Sequence, residues 1–378
     1  MRRMHSINIL DYSIRSAQGD ITDTLSAIKN KNIKISTKAV ATLDDDIDVP
    51  YFVFENEVKD ERDEITNAIK EIVSNIATNL SRDKKERTVL IIGTALVDKN
   101  VINAVEDKNS EYTKNPENFS KTSIDSYADD IAKELGLNSF TMTICTACTS
   151  SVNAILEARN LINAGLVDYA IVVGIEIFSK MMSGGFSSMN LLSLGEQKPF
   201  DKERDGLILG EAIAAVLLGR DDSSWSLRGG YSNCNSETIT SVSASGDEFA
   251  EVMLNAMELS GVNAEDICAI KAHATSSLSN DLAEINAISE LFSKEITFTA
   301  IKPYVGHTLG ACGVLELAIL MASVDDGFIP KTINHRESIL QDYLPLKEHK
   351  VCKDGIFMLN YFGFGGNNTT IIIQKELV

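Results

Sequence analysis

The chain has 378 residues, 44% of them hydrophobic and 24% charged, with 23 glycines and 6 prolines. This is a globular composition, and the length suits two domains or one large α/β unit built from two halves, with a substantial buried core either way. The formal net charge of −19 argues against nucleic acid or an anionic membrane surface as partner, and no apolar run reaches membrane-spanning length.

The first residues carry two arginines, but the apolar run after them is short and soon interrupted by Asp11, unlike a signal peptide, so the expected compartment is the cytoplasm. The pattern predicts an opening strand over 6–12 and a helix with Ile21, Leu25 and Ile28 on one face. Residues 31–60 are polar and irregular around Asp44, Asp45 and Asp46 and read as a solvated loop. Helical periodicity returns over 61–80, residues 88–94 read as a buried strand, and 98–122 read as surface loop with a short helix. An amphipathic helix over 123–135 stops at Gly136.

Residues 141–148 are apolar and β-prone, and 151–165 carry an apolar stripe (Val152, Ile155, Leu156, Leu161, Ile162) at helical spacing, ended by Gly165. Cys148 therefore sits at a strand-to-helix turn on the positive end of a helix. That position favours a thiolate and a neighbouring oxyanion, and the hydroxyls of 149–151 suit N-capping. Most free cysteines are inert packing, so this stretch alone does not make Cys148 a nucleophile. Residues 167–178 read as a strand covered on both faces, 181–206 are rich in Gly, Ser and Met, and 210–218 are again strand-like.

From Trp225 the alternation continues with a strand, a helix over 247–260, a strand over 267–272 and a helix over 280–292. A strand over 296–300, a helix over 310–324 and strands over 355–360 and 368–374 complete it. The expected class is α/β, in halves of similar size at 1–224 and 225–378 that permit an internal duplication. The six cysteines, 145, 148, 234, 268, 312 and 352, include one C-x-x-C. No second pair and no nearby His accompany it, so neither zinc nor thioredoxin-like chemistry is expected there.

Three further stretches set reactive side chains beside strands. One holds Lys271, His273, Thr275 and Ser277, followed by Asp281 and Glu284; the second runs from Lys302 through His307 to Gly313; the third is the Gly-rich turn around Phe364. Each alone is weak. A lone His after a strand is more often a packed or surface residue, and the Gly-rich turn suits a hairpin. It is no dinucleotide fingerprint, because no helix follows it.

With TACTSS at 146–151, KPFDKERDGLILGEA at 198–212, HATSSLSND at 273–281, KPYVGHTLGACG at 302–313 and NYFGFGGNN at 360–368, the chain resembles the β-ketoacyl synthases over about residues 7–373. These are the thiolase-fold condensing enzymes of fatty-acid and polyketide synthesis. The resemblance implies a thiolase-like fold of two similar βαβαβαββ halves in a layered α-β-α-β-α core. Half 1–224 would carry the nucleophile Cys148 and cap insertions. Half 225–378 would carry both histidines and the Gly-Phe-Gly-Gly turn. It also implies decarboxylative Claisen condensation of a malonyl thioester with an acyl chain held on Cys148. His273 and His307 would then be hydrogen-bond donors to the developing oxyanion, the Cys–His–His set of the elongating type.

The resemblance further gives the backbone N–H groups of Cys148 and Phe364 as oxyanion hole, with Phe364 also as gate. Lys302 and Glu316 become a supporting charge pair, Asp281 and Glu284 supporting acids, and Thr275 and Ser277 the pantetheine-binding hydroxyls. No cofactor is implied for the chain itself; its substrates ride on the phosphopantetheine of an acyl carrier protein. That acidic partner would need a local basic patch, for which Lys198, Lys202 and Arg204 lie nearest in sequence. A dimer is implied, homodimer or heterodimer with a chain-length-factor-like subunit, with residues near Ile144 at the interface. A thiolase acting on coenzyme A thioesters would need a second cysteine, and neither Cys312 nor Cys352 falls at that place. Ala274 stands where Gly is usual, Asn367 where Thr is usual, and Pro303-Tyr304 where a small polar pair is usual. The region between Thr94 and Thr143 and the loop 181–197 look short, which bears on acyl length more than on chemistry.

Overall fold

A computed structural model describes residues 7–41, 46–59, 61–95, 124–235 and 242–377. The first part runs β1 (Ile7–Ser16), α1 (Ile21–Asn30), β2 (Ser36–Ala41), β3 (Asp46–Phe52), α2 (Arg62–Ala77), α3 (Arg82–Glu86), β4 (Thr88–Gly93), α4 (Ser126–Leu135), β5 (Thr141–Ile144), α5 (Ser150–Ala164), β6 (Tyr169–Glu176), α6 (Lys180–Ser188), β7 (Leu209–Gly210) and β8 (Ala212–Gly219). The second runs β9 (Trp225–Cys234), α7 (Asp247–Ser260), β10 (Ile267–Lys271), α8 (Leu278–Leu291), β11 (Phe298–Thr299), α9 (Lys302–Val305), α10 (Cys312–Asp325), β12 (Phe328–Ile329), β13 (Lys350–Val351), β14 (Gly355–Phe362) and β15 (Asn367–Lys375).

Ten of these strands form one mixed sheet in the order β11-β10-β14-β15-β9-β1-β8-β6-β4-β5. Within each group of five, counted along the chain, the spatial order from the outer edge is third, second, fourth, fifth, first. The fifth strand, β8 or β15, is antiparallel to both its neighbours, and the other pairs in each group are parallel. The groups meet at a short antiparallel contact, Ile7 opposite Leu227 and Asn8 opposite Ser226.

Every residue of β6 and β8 is buried, as expected of strands covered on both faces. Apart from Glu316 and Ser323, helix α10 is apolar and buried on every side from Cys312 to Val324, the mark of a central helix. It packs on α5 and on β1, β6 and β8, while α2 covers the opposite face of β1, β6 and β8. The first turns of α5 and α10 meet at backbone distance: a Cβ on Gly313 would lie 2.4 Å from the Val152 nitrogen. Cys312 Sγ accordingly donates to the Cys148 carbonyl at 3.0 Å. Among the described residues no helix is long and apolar enough to cross a membrane.

The structure corrects several expectations. Residues 31–60 contain the β2–β3 hairpin, Lys38 facing Val49, with β3 joining β7 in parallel. Few of its residues are buried (Val40, Val49, Tyr51, Phe52), and both strands are largely exposed away from them, so no alternation shows in the sequence. The stretch 181–197 begins with helix α6, capped by Ser179 and anchored by buried Ser183 and Phe186. The strand expected over 296–300 pairs only at Phe298–Thr299. The region 98–122 lies outside the described residues.

Candidate active site

Strand β5 ends at Ile144, and a single 3₁₀ turn, Ala147–Thr149, carries Cys148 into α5. Ala147 has φ +53°, where a residue with a Cβ is strained by about 1 kcal/mol. Ser150 holds this turn: its hydroxyl accepts from the Thr146 N–H at 2.9 Å and donates to the Ala147 carbonyl at 2.7 Å. The hydroxyls expected to cap the helix thus bind the turn instead, and Thr149 makes no capping bond. Cys148 is buried. Burial pushes its thiol up, while the Phe364 N–H, Lys302 and its own N–H oppose that shift. The helix end therefore does not win: the thiol rests protonated.

His273 follows β10 and His307 follows α9, and their rings meet edge to face with centroids 5.3 Å apart. Both line one cavity with Cys148, Thr275, Ser277 and Phe364. Burial is the main reason both imidazoles are held well below the usual histidine range, reinforced by the charge of Lys302. Lys302 Nζ lies 3.2 Å from His273 Nδ1. An ammonium has only protons to offer, so Nδ1 is the acceptor and the imidazole proton sits on Nε2. Among the described residues that Nε2 is buried without a partner, as is His307 Nδ1.

Glu316 accepts from both Lys302 (2.7 Å) and Lys271 (2.6 Å), all three fully buried. Lys271 also donates to the Asn360 carbonyl at 2.7 Å and sits 3.5 Å over the Tyr361 ring. Burial lowers Lys271 to about 8; in Lys302 the same burial is outweighed by Glu316 and the ammonium is held up. The motif had offered Lys302 and Glu316 as a pair. The second lysine was missed, although a lysine in an apolar strand already demands a buried partner.

The supporting acids hold backbone. Glu284 accepts from the N–H groups of His273 (2.7 Å) and Ala274 (2.8 Å). Ala274 has φ +50°, which explains why Gly is usual there and shows what pins the alanine. Asp281 accepts from Phe200 N–H (2.7 Å) and Ser276 N–H (3.0 Å), tying the 198–206 stretch to the turn with Thr275 and Ser277. The two hydroxyls lie 3.0 Å apart. Asn367 Oδ1 accepts from Thr149 Oγ1 and Asn153 Nδ2, so the substituted residue clips the Gly-Phe-Gly-Gly turn onto the Cys148 turn.

Phe364 packs on Phe186 of α6, ring centroids 6.0 Å apart, and an apolar cluster of Tyr51, Leu207, Leu209 and Leu309 surrounds Cys148. Phe186 and Glu176 were missed, since nothing in their local sequence pattern marks them. Glu176 Oε2 accepts from Ala95 N–H (3.1 Å) and Gly310 N–H (3.0 Å), anchoring the turn just after His307. The basic candidates are corrected in part. Arg204 is buried and donates to the carbonyls of Ser277, Leu278 and Asp201, and Lys202 pairs with Glu337. Among the described residues no group of His, Cys, Asp and Glu is arranged to hold a metal ion.

The family model described as "Beta-ketoacyl synthase, N-terminal domain" matches residues 54–224, and "Beta-ketoacyl synthase, C-terminal domain" matches 226–336. The chain is 32% identical over 263 residues to the chloroplastic 3-oxoacyl-[acyl-carrier-protein] synthase I of Arabidopsis thaliana, covering 64% of this chain and 55% of that protein. It is 30% identical to the putative mitochondrial 3-oxoacyl-[acyl-carrier-protein] synthase of Schizosaccharomyces pombe, covering 73% of this chain and 71% of that one. The match thus spans little more than half the length of the Arabidopsis protein. Among solved structures, a ketosynthase in complex with its chain length factor from Xenorhabdus doucetiae superposes with TM-score 0.81 at 23% identity, covering 100% of this chain and 99% of that one. A β-ketoacyl synthase from Burkholderia phymatum superposes with TM-score 0.85 at 21% identity, covering 99% and 100%. At these identities the structures establish the thiolase-like fold alone.

Proposed function

The chain belongs to the β-ketoacyl synthase family, and from that premise we propose that it is an elongating β-ketoacyl-[acyl-carrier-protein] synthase of fatty-acid or specialised polyketide synthesis. The observation that carries this reading is the meeting of the Cys148 thiol with two neutral, buried imidazoles around one cavity. Cys148 attacks the carbonyl of an acyl thioester, and the N–H groups of Cys148 and Phe364 take the tetrahedral oxyanion. The pantetheine thiol leaves with the proton and the acyl chain remains on the sulfur. A malonyl thioester then enters along Thr275 and Ser277 and loses carbon dioxide. The charge that develops on its thioester oxygen is stabilised by hydrogen bonds from His273 Nε2 and His307. The carbanion attacks the acyl carbonyl, Cys148 leaves, and a β-ketoacyl thioester two carbons longer is released. Phe364, between flanking glycines, gates entry by moving against Phe186.

Lys302, Glu316 and Asp281 act as supports, fixing the histidine tautomer and the turn geometry. Halves 1–224 and 225–378 are two copies of one unit, a reading supported by their identical strand order. The substrates arrive on phosphopantetheine of an acyl carrier protein, the chain itself holds no cofactor, and the site of action is the cytoplasm. The assembly is a dimer through the outer edge of β5 near Ile144, either with itself or with a chain-length-factor-like subunit. Cys148 and both histidines mark this chain as the active partner in either case. A thiolase reading is opposed by Cys312, whose thiol is spent on the Cys148 carbonyl and pushed far up by burial.

The test is intact-protein mass after incubation with a panel of acyl-carrier-protein thioesters, with Cys148→Ala in parallel. A gain equal to the acyl group on the natural protein, absent from the variant, is expected. No gain from any donor means that the chain needs a missing partner subunit or is not a synthase, and no gain with co-purifying chains retained overturns the reading.

A further inference from the structure

Cys268 and Cys352 take no part in the site above. Cys268 occupies the irregularity in β10–β14 pairing, between Ile267 opposite Ile356 and Ala269 opposite Phe357. Cys352 lies between β13 and β14. Although 84 residues apart in sequence, their sulfurs are 3.8 Å apart, and both are free thiols. The absence of a side chain at Gly355 makes room for the pair: a Cβ there would lie 2.9 Å from Cys268 Cβ. A disulfide needs the sulfurs at about 2 Å, so an approach of a little under 2 Å closes the bond.

We propose that Cys268 and Cys352 form a reversible disulfide by exchange with a low-molecular-weight disulfide of the glutathione class, as a redox site separate from the condensing centre. The Cys268 thiolate attacks one sulfur of the reagent and expels its thiolate, giving a mixed disulfide. Cys352, deprotonated in turn, attacks the Cys268 sulfur and expels the second reagent thiolate. The two protein thiols are oxidised, the reagent is reduced to two thiols, and the two protons pass to the departing thiolates. Cys268 attacks first because it is the more open of the two. Its hydrogen bond with Cys352, followed by the charge of Lys350, also lowers its thiol to about 7. A value near ambient pH suits an attacking thiol. Cys352 is buried, with its sulfur 3.2 Å from the Asp354 carbonyl, which suits the resolving thiol.

The closed loop runs from β10 to β13, the segment that carries His273, Lys302, His307 and Glu316. Cross-linking it restricts the unfolded chain over that whole stretch, so the oxidised form resists unfolding.

The experiment equilibrates the full-length protein with graded ratios of reduced to oxidised glutathione, quenches by alkylation and maps the cysteine peptides. The expected result is a cross-linked 268–352 peptide pair and a melting temperature raised by about 5 °C. Both should vanish in Cys268→Ser and in Cys352→Ser, and both should reverse on reduction. Alkylation of both cysteines at the most oxidising ratio, or arrest at a stable mixed disulfide on Cys268, overturns the proposal. Peptide mapping of the natural chain decides this even if a variant fails to fold, and the readout does not depend on condensing activity.

Discussion

Lys302 Nζ sits 3.2 Å from His273 Nδ1 and donates to Glu316 Oε1 at 2.7 Å. One ammonium therefore fixes the imidazole tautomer while its own charge is balanced. Lys302→Met removes that fixation and leaves Glu316 paired with Lys271. Malonyl-thioester decarboxylation should fall by about 10- to 100-fold. The pH profile should stay flat. Both histidines are held well below 6.5, chiefly by burial, so they stay neutral and add no slope from pH 6 to 8. Removing Lys302 takes away only the second cause, so the variant should lose rate without gaining an acid limb in that window. Carbon dioxide release measured across pH checks this, and an acid limb in the variant would refute it.

The two half-reactions should separate at the histidines. His273→Ala and His307→Ala each remove a donor to the enolate oxygen but leave the Cys148 and Phe364 N–H groups in place. Decarboxylation should fall by about 10²-fold or more in each, while acylation of Cys148 stays within a few-fold. Parallel mass spectrometry and carbon dioxide assays report the two steps. Equal loss of both would assign the histidines to acyl transfer as well.

Glu176 makes stability pH-dependent. Burial raises its carboxyl from 4.5 to about 8, against the opposing N–H groups of Ala95 and Gly310. As pH rises from 4.5 to 8 the unfolded chain gives up this proton before the folded one does. The group's contribution is therefore full below 4.5 and is lost as pH rises through 8. Glu176→Gln removes that slope. Denaturant unfolding at pH 5, 7 and 8.5 should show the variant gaining on the natural protein with pH, by about 4 kcal/mol at the alkaline end. Parallel curves would mean that Glu176 is ionised in the folded protein.

Ala274 is held at φ +50° by Glu284. Ala274→Gly relieves left-handed strain of about 1–2 kcal/mol and loses about 0.5–1 kcal/mol to the freer unfolded chain. A net gain of about 0.5–1 kcal/mol in denaturant unfolding is expected, and a loss would show that the alanine methyl packs better than its backbone is strained.

Much of the architecture was legible because periodicity is local. The stripe of α5 and the unbroken apolar runs of β6 and β8 place those elements without reference to the rest of the chain. The β2–β3 hairpin was not legible, because most of its residues are exposed and the parallel partner of β3, β7, comes some 150 residues later in the chain. The cysteine and histidine motifs brought Cys148, His273, His307, Thr275, Ser277 and Phe364 to notice, and these line one cavity. Lys271, Glu176 and Phe186 escaped because each is defined by partners far away in sequence.

The sequence by itself determined which residue types carry reactive groups, the elements that bear them and the family to which their spacing belongs. Only the tertiary structure decided their protonation and their partners. The helix end beside Cys148 favours a thiolate, yet burial keeps it a thiol. One carboxylate, Glu316, serves two lysines that lie 45 and 14 residues away along the chain. The Cys268 and Cys352 sulfurs meet across 84 residues. Desolvation and Coulomb energy depend on what surrounds a group in three dimensions, and the chain order does not contain that surrounding until the sheet and its central helices have closed around it.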